Sequence, residues 1–135
     1  MAQQIQDDGS WREMPARLEA RPILAGCAIM SRFWLTTPGG ETFEEFDVAA
    51  YSKGAGAWAQ WTLDSRGDSP KRYVGDANAA GVVTMTATLP DGVLERIRRV
   101  PSGADRFTWD ASWSRDGGAT YTVLMKGEFT RVENP

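Results

Sequence analysis

Between Asp105 and Arg131 the chain reads DRFTWDASWSRDGGATYTVLMKGEFTR, a pattern that fits a long β-hairpin and little else. Phe107, Trp109, Ala111 and Trp113 alternate with Arg106, Thr108, Asp110 and Ser112, the two-residue period of a strand with one buried face. Asp116, Gly117 and Gly118 then supply residues that tolerate the positive φ of a tight reversal. Tyr121, Val123, Met125, Gly127 and Phe129 resume the alternation, with Thr120, Thr122, Lys126, Glu128 and Thr130 opposite. A hairpin alone is marginally stable, so the apolar face requires further strands to cover it.

The rest of the chain supplies them. Met1 to Ser10 is polar and is expected to be a loosely ordered lead-in, so that 11–135 forms one domain. Pro15 argues against a helix in Trp11 to Ala20, which reads as an extended segment leading into a strand near Arg17 to Arg21. Pro22 to Gly26 is a turn. Strands are predicted over Cys27 to Thr36, Thr42 to Tyr51, Trp58 to Leu63, Arg72 to Val74, Val82 to Leu89 and Val93 to Val100. In the second of these Phe46, Val48 and Ala50 share one face and Glu45, Asp47 and Ala49 the other. Asp64 to Lys71 has no large apolar side chain and reads as an exposed loop. Turn signals recur about every 8 to 12 residues and no convincing three-turn helix intervenes, the mark of an antiparallel meander closing into a sandwich or barrel.

Composition excludes several kinds of chemistry. With 135 residues, 41% hydrophobic and 24% charged, the chain is sized for one globular core. A net charge of -3 offers no general attraction for nucleic acid or anionic membranes, and neither is expected as a partner. One cysteine, Cys27, permits no internal disulfide, and histidine is absent. Cysteine metal sites and histidine-based nucleophile pairs are therefore ruled out, and no cofactor or metal is expected. Met1 to Asp8 has neither the basic nor the apolar region of a signal peptide, so the expected compartment is the cytoplasm.

Six tryptophans are the loudest compositional signal. Trp61, Trp109 and Trp113 are candidates to wall a cavity for an aromatic or polyene ligand, or else to fill a narrow core. Trp58 has the opposite parity to Trp61. Arg96 and Arg98 fall on one face and Arg99 on the other. Arg96 and Arg98 could hold a carboxylate or enolate, or could lie outside and pair with Asp110 or Glu128. An inward Arg96 would need Glu44, Glu45 or Glu95 as partner. Asp64, at the end of its strand, either orients a ligand head group at a rim or shapes the turn. Arg66-Gly67-Asp68 is set aside. Cys27 reads as a small core residue. Tyr51, Tyr73 and Tyr121 are possible phenolic donors, with Tyr73 placed at the rim. No phosphate loop, metal-ligand cluster or nucleophile elbow is present.

The run FEEFDVAAYSKGAGAWAQWTLDSRG, from Phe43 to Gly67, resembles a bacterial lipocalin-like family of unknown function, in which a strand ending in Tyr precedes one carrying W-x-x-W before Asp-Ser. ARPILAG, from Ala20 to Gly26, is similar to the segment before that family's second strand, and SWSRDGGATYTVLMKGEFTR to its closing hairpin. The resemblance implies an all-β, calycin-type antiparallel barrel of about eight strands whose interior holds one apolar ligand. It implies no reaction and no catalytic residues. The family usually carries a further tryptophan-bearing strand ahead of the position of Trp11. Its lack here would leave the barrel open on one side or completed by a homodimer.

The expected function is binding of a small apolar or aromatic molecule by Trp61, Tyr73, Arg96, Trp109, Trp113 and Asp64. Two alternatives stand beside it. One is a cofactor-independent cyclase or isomerase of a biosynthetic pathway, and the other a filled barrel acting through its outer surface. Haem is not expected, for want of a histidine.

Overall fold

The computed structural model describes residues 1–67 and 70–132. Asp68 and Ser69 of the predicted loop, and the last three positions of the expected domain, lie outside the described residues. One antiparallel sheet of eleven strands accounts for the fold: β1 (Ala2–Ile5), β2 (Trp11–Met14), β3 (Ala16–Ile23), β4 (Ala28–Thr36), β5 (Thr42–Ser52), β6 (Ala57–Asp64), β7 (Lys71–Ala77), β8 (Val83–Thr88), β9 (Leu94–Pro101), β10 (Arg106–Ser114) and β11 (Thr122–Thr130). A single 3-10 turn, Leu24–Gly26, is the only helical element among the described residues, and no helix is long and apolar enough to cross a membrane.

The spatial order β2-β1-β11-β10-β9-β8-β7-β6-β5-β4-β3 places every pair of sequence neighbours side by side except β2 and β3. β2 and β3 stand at opposite ends of that order, yet only Pro15 separates them in sequence. Proline has no N–H to give to a ladder. The chain kinks there, with β2 pairing to β1 and β3 to β4, while the Pro15 carbonyl accepts the Thr36 N–H at 3.0 Å. The sheet is thereby rolled into a nearly closed barrel. Phe33 of β4 reaches across it to Trp109 of β10 and Phe129 of β11, with ring centroids 6.0 and 6.2 Å away.

Two expectations are corrected here. The strand count among the described residues is eleven rather than about eight, because the N-terminal residues add strands and Pro15 divides another. Those residues are not a loose lead-in: Ala2 is fully buried, and β1 pairs with β11 on one side and β2 on the other. A strand does therefore precede Trp11, without the tryptophan the family pattern carries.

The interior divides in two. Ala2, Met14, Phe33 and Leu35 form an apolar cluster joined by Leu18, Phe43, Met125 and Phe129. Tyr73, Met85, Ala87 and Ile97 form another, with Trp58 and Trp109 against it. Polar side chains fill much of the wall between them. In β5 and β6 the usual sidedness is reversed: Asp47, Gln60 and Thr62 are buried, while Trp61 and Leu63 stand outside, 47% and 51% exposed.

Candidate functional site

Most of the buried polar groups come from the adjacent strands β5, β6 and β7, and others reach them from β4 and β9. Register pairs Asp47 with Thr62, Ala49 with Gln60, Gln60 with Tyr73, and Thr62 with Lys71. Glu45, two residues before Asp47, shares its face, and Glu95 and Arg99 join from β9. Asp47 is held on three sides. Its Oδ1 accepts from Gln60 Nε2 at 2.9 Å and from the Thr62 hydroxyl, and its Oδ2 accepts from Ser31 Oγ at 3.2 Å. Gln60 in turn accepts from Arg99 Nη2 at 3.4 Å. Glu95 is bridged by Tyr73, whose hydroxyl donates at 2.8 Å, and by Lys71 Nζ at 3.1 Å.

Electrostatics follow from this crowding. Burial raises the pKa of Glu45 to about 8, reinforced by the charge on Asp47 and opposed by Lys71. Glu45 is therefore mostly protonated at neutral pH and able to donate. Asp47 is also raised by burial, although Thr62, Arg99, Ser31 and Gln60 all work against the shift. The Tyr73 phenol is pushed far above its ordinary range by burial and then by Glu95, so it stays neutral and serves as a donor. Among the described residues no group of three His, Cys, Asp or Glu side chains is arranged to hold a metal ion.

The second feature is an opening. Met1, just ahead of β1, accepts the Glu128 N–H on its carbonyl at 3.2 Å. Beyond that point the distal part of β11 and the free edge of β3 are not paired with each other. A cleft of about 1040 Å³ occupies this seam, with Met1 on its wall. Leu18, Phe107 and Phe129 give it an apolar floor, the two phenylalanines stacking at 5.3 Å. Leu18 and Phe129 also pack on the apolar core, so the floor is continuous with the interior.

The residues singled out from sequence are dispersed. Trp109 lies inside, against Phe33 and the Tyr73 cluster. Tyr73 is deep in the wall rather than at a rim, 1% exposed. Trp113 is 36% exposed at the end of β10, with Arg115 5.9 Å above its ring. Trp61 faces outward beside Arg72, which lies 5.8 Å from its ring, and so walls no interior cavity. Asp64 shapes the turn, accepting the Arg66 N–H at 2.8 Å. Arg96 does not enter the interior: it stacks on Tyr121 at 3.8 Å, and its buried Nε has no partner among the described residues. Arg99 is the β9 arginine on the interior face. Arg98 instead approaches Asp110 at 4.0 Å. Cys27 is an exposed residue following the Leu24–Gly26 turn, not part of the core.

Sequence reasoning missed Glu45, Asp47, Gln60, Thr62 and Lys71 as a group. One signal was present: the apolar residues of β5 and β6 pair with each other, Phe46 with Leu63 and Val48 with Trp61, so their polar residues necessarily pair on the other face. No protein-family model matches the chain, and no curated protein shows significant similarity to it.

Proposed function

We propose that this barrel binds a small apolar or aromatic molecule in the cleft along its seam, in the manner the lipocalin-like resemblance implies. The observation that carries the reading is the cleft of about 1040 Å³ whose floor runs into the apolar core through Leu18 and Phe129. Ligand sites are typically concave, mostly apolar and roughly 300–1,000 Å³, and this cleft lies just above the top of that range. Trp34 provides an internal reporter, since Arg17 and Arg32, both on the cleft wall, lie 5.7 and 4.8 Å from its ring.

The test is a titration with the neutral fluorophore N-phenyl-1-naphthylamine. Saturable enhancement is expected with the native chain. Ala20 lines the cleft and is exposed, so Ala20→Trp should fill the space and weaken binding by about tenfold or more, with an unchanged circular dichroism spectrum. A flat titration of the native chain would remove the reading.

A second reading, a cofactor-independent isomerase or cyclase, is favoured by Glu45. A carboxyl raised by burial beside a second acid, Asp47, is the kind of pairing that supplies an acid and a base from one wall. Lys71 and Glu95 are 25% and 11% exposed, so the cluster is not wholly sealed from solvent. Exchange of solvent deuterium into a bound ligand, lost in Glu45→Gln with binding retained, would support this reading.

A further inference from the structure

We propose that the molecule taken up in the seam cleft is an amphipathic organic anion, its apolar or aromatic body on Leu18, Phe107 and Phe129 and its anionic head among Arg21, Arg106 and Arg131. The proposal rests on the reading of the cleft as a ligand site and adds the chemistry of the ligand.

Charge is the first ground. Five arginines line the cleft against three carboxylates, Glu19, Asp105 and Glu128, with Glu44 pairing Arg32 from outside the lining, so a positive excess remains where the whole chain carries a net charge of -3. The cleft is thus a local reversal of sign, and opposite potential concentrates and orients an anion. Availability is the second. Arg106 meets Glu128 only at 3.8 Å and Arg131 meets Asp105 only at 3.6 Å, and every one of these four side chains is more than half exposed. Exposed pairs of this length contribute little, so either guanidinium can turn to a ligand at small cost. Arg21 has no carboxylate partner among the described residues. Guanidinium is suited to the task because its planar fork engages carboxylate or sulfonate oxygens in pairs.

Chain topology places the two halves of the recognition together. Arg21 lies three residues along β3 from Leu18 and Arg106 is next to Phe107, odd offsets that put both guanidiniums on the opposite strand face from the floor, so they meet a ligand across the open edge of the seam; Arg131 follows the end of β11, two residues past Phe129. A ligand lying along the floor therefore has cations at the end farther from Met1.

Two fluorophores with closely related aromatic bodies separate the possibilities: 8-anilinonaphthalene-1-sulfonate carries a charge and N-phenyl-1-naphthylamine does not. The native chain is expected to bind the sulfonate about tenfold tighter, and the triple variant Arg21→Ala/Arg106→Ala/Arg131→Ala to bring the two within about twofold. Added salt should weaken the sulfonate and leave the amine unchanged. Equal binding of both probes by the native chain would overturn the anionic head while leaving the cleft as a binding site. A preference that survived the triple variant would also overturn it, by removing the arginines as its cause. Binding of neither probe would end the cleft reading itself. Should the triple variant unfold, Arg21→Gln together with the salt series decides the same question.

Discussion

At the scale of single residues, Glu45 is the side chain whose placement has the largest measurable consequence. It faces Asp47 from its own strand, Asp64 from β6, Lys71 from β7 and Glu95 from β9. Its folded pKa of about 8 lies above the ordinary value of 4.5. The unfolded chain therefore releases the proton first as pH rises. Stability from this group is complete below about pH 4.5, falls between there and pH 8, and is level above. Asp47, also raised, acts in the same direction. Glu45→Gln should remove most of the slope and make the fold more stable than native at pH 8 by on the order of 3 kcal/mol. Urea denaturation at pH 5 and pH 8 checks this, and an unchanged slope in the variant would refute it. None of this was legible from Glu45 alone. Alternation in β5 separates Glu45 and Asp47 from Phe46 and Val48, but period two does not say which set faces in, and the customary choice would have put the acids outside. Packing decides, because Phe33 and Leu35 of the neighbouring strand face the core and register sets Glu45 and Phe43 beside them.

At the scale of elements, the closing hairpin was the most legible part of the chain, and its exception has a definite cause. β10 keeps its alternation against β9, Trp109 opposite Arg99 and Trp113 opposite Glu95. On β11 the register passes from Met125 opposite Ala111 to Val123 opposite Ser112, leaving Leu124 as an extra residue. This bulge moves Val123 to the face of Ser112 and Arg96, and Tyr121 covers Arg96 there. A one-residue slip exchanges the faces of everything beyond it, so no reading of Tyr121 and Val123 that assumed strict alternation could place them. Gly75 is a second detail invisible to pattern. A Cβ there would meet the Thr84 carbonyl oxygen at 1.9 Å, an approach only glycine permits. Gly75→Ala should force β7 from β8 and cost roughly 3 kcal/mol or more, measured by denaturation. Full stability in that variant would show the two strands to be farther apart than described.

At the scale of the whole molecule, an all-β barrel followed from evenly spaced turns and the lack of any long helix, while the manner of closure did not. Closure depends on β1, four residues that pattern analysis passes over because they are short and polar. Their contribution comes from position, since β1 is hydrogen-bonded on both sides and Ala2 is sealed within the apolar cluster. Ala2→Glu should place an unpaired carboxylate in that cluster and destabilise the barrel by roughly 3 kcal/mol. Hydrogen exchange should then show the amides of Met125 to Gly127 losing protection before those of β8 and β9. Protection lost uniformly would mean that β1 is not a separable closing element.

The path of β1 has one more consequence. Any residues joined ahead of Met1 would continue its line along Glu128 to Thr130, between β11 and the free edge of β3. The seam thus lies in the line of β1, beside the unpaired edges of β11 and β3. Lengthening the strand by a few extended residues would turn an open container into a sealed one, with no change to the other ten strands.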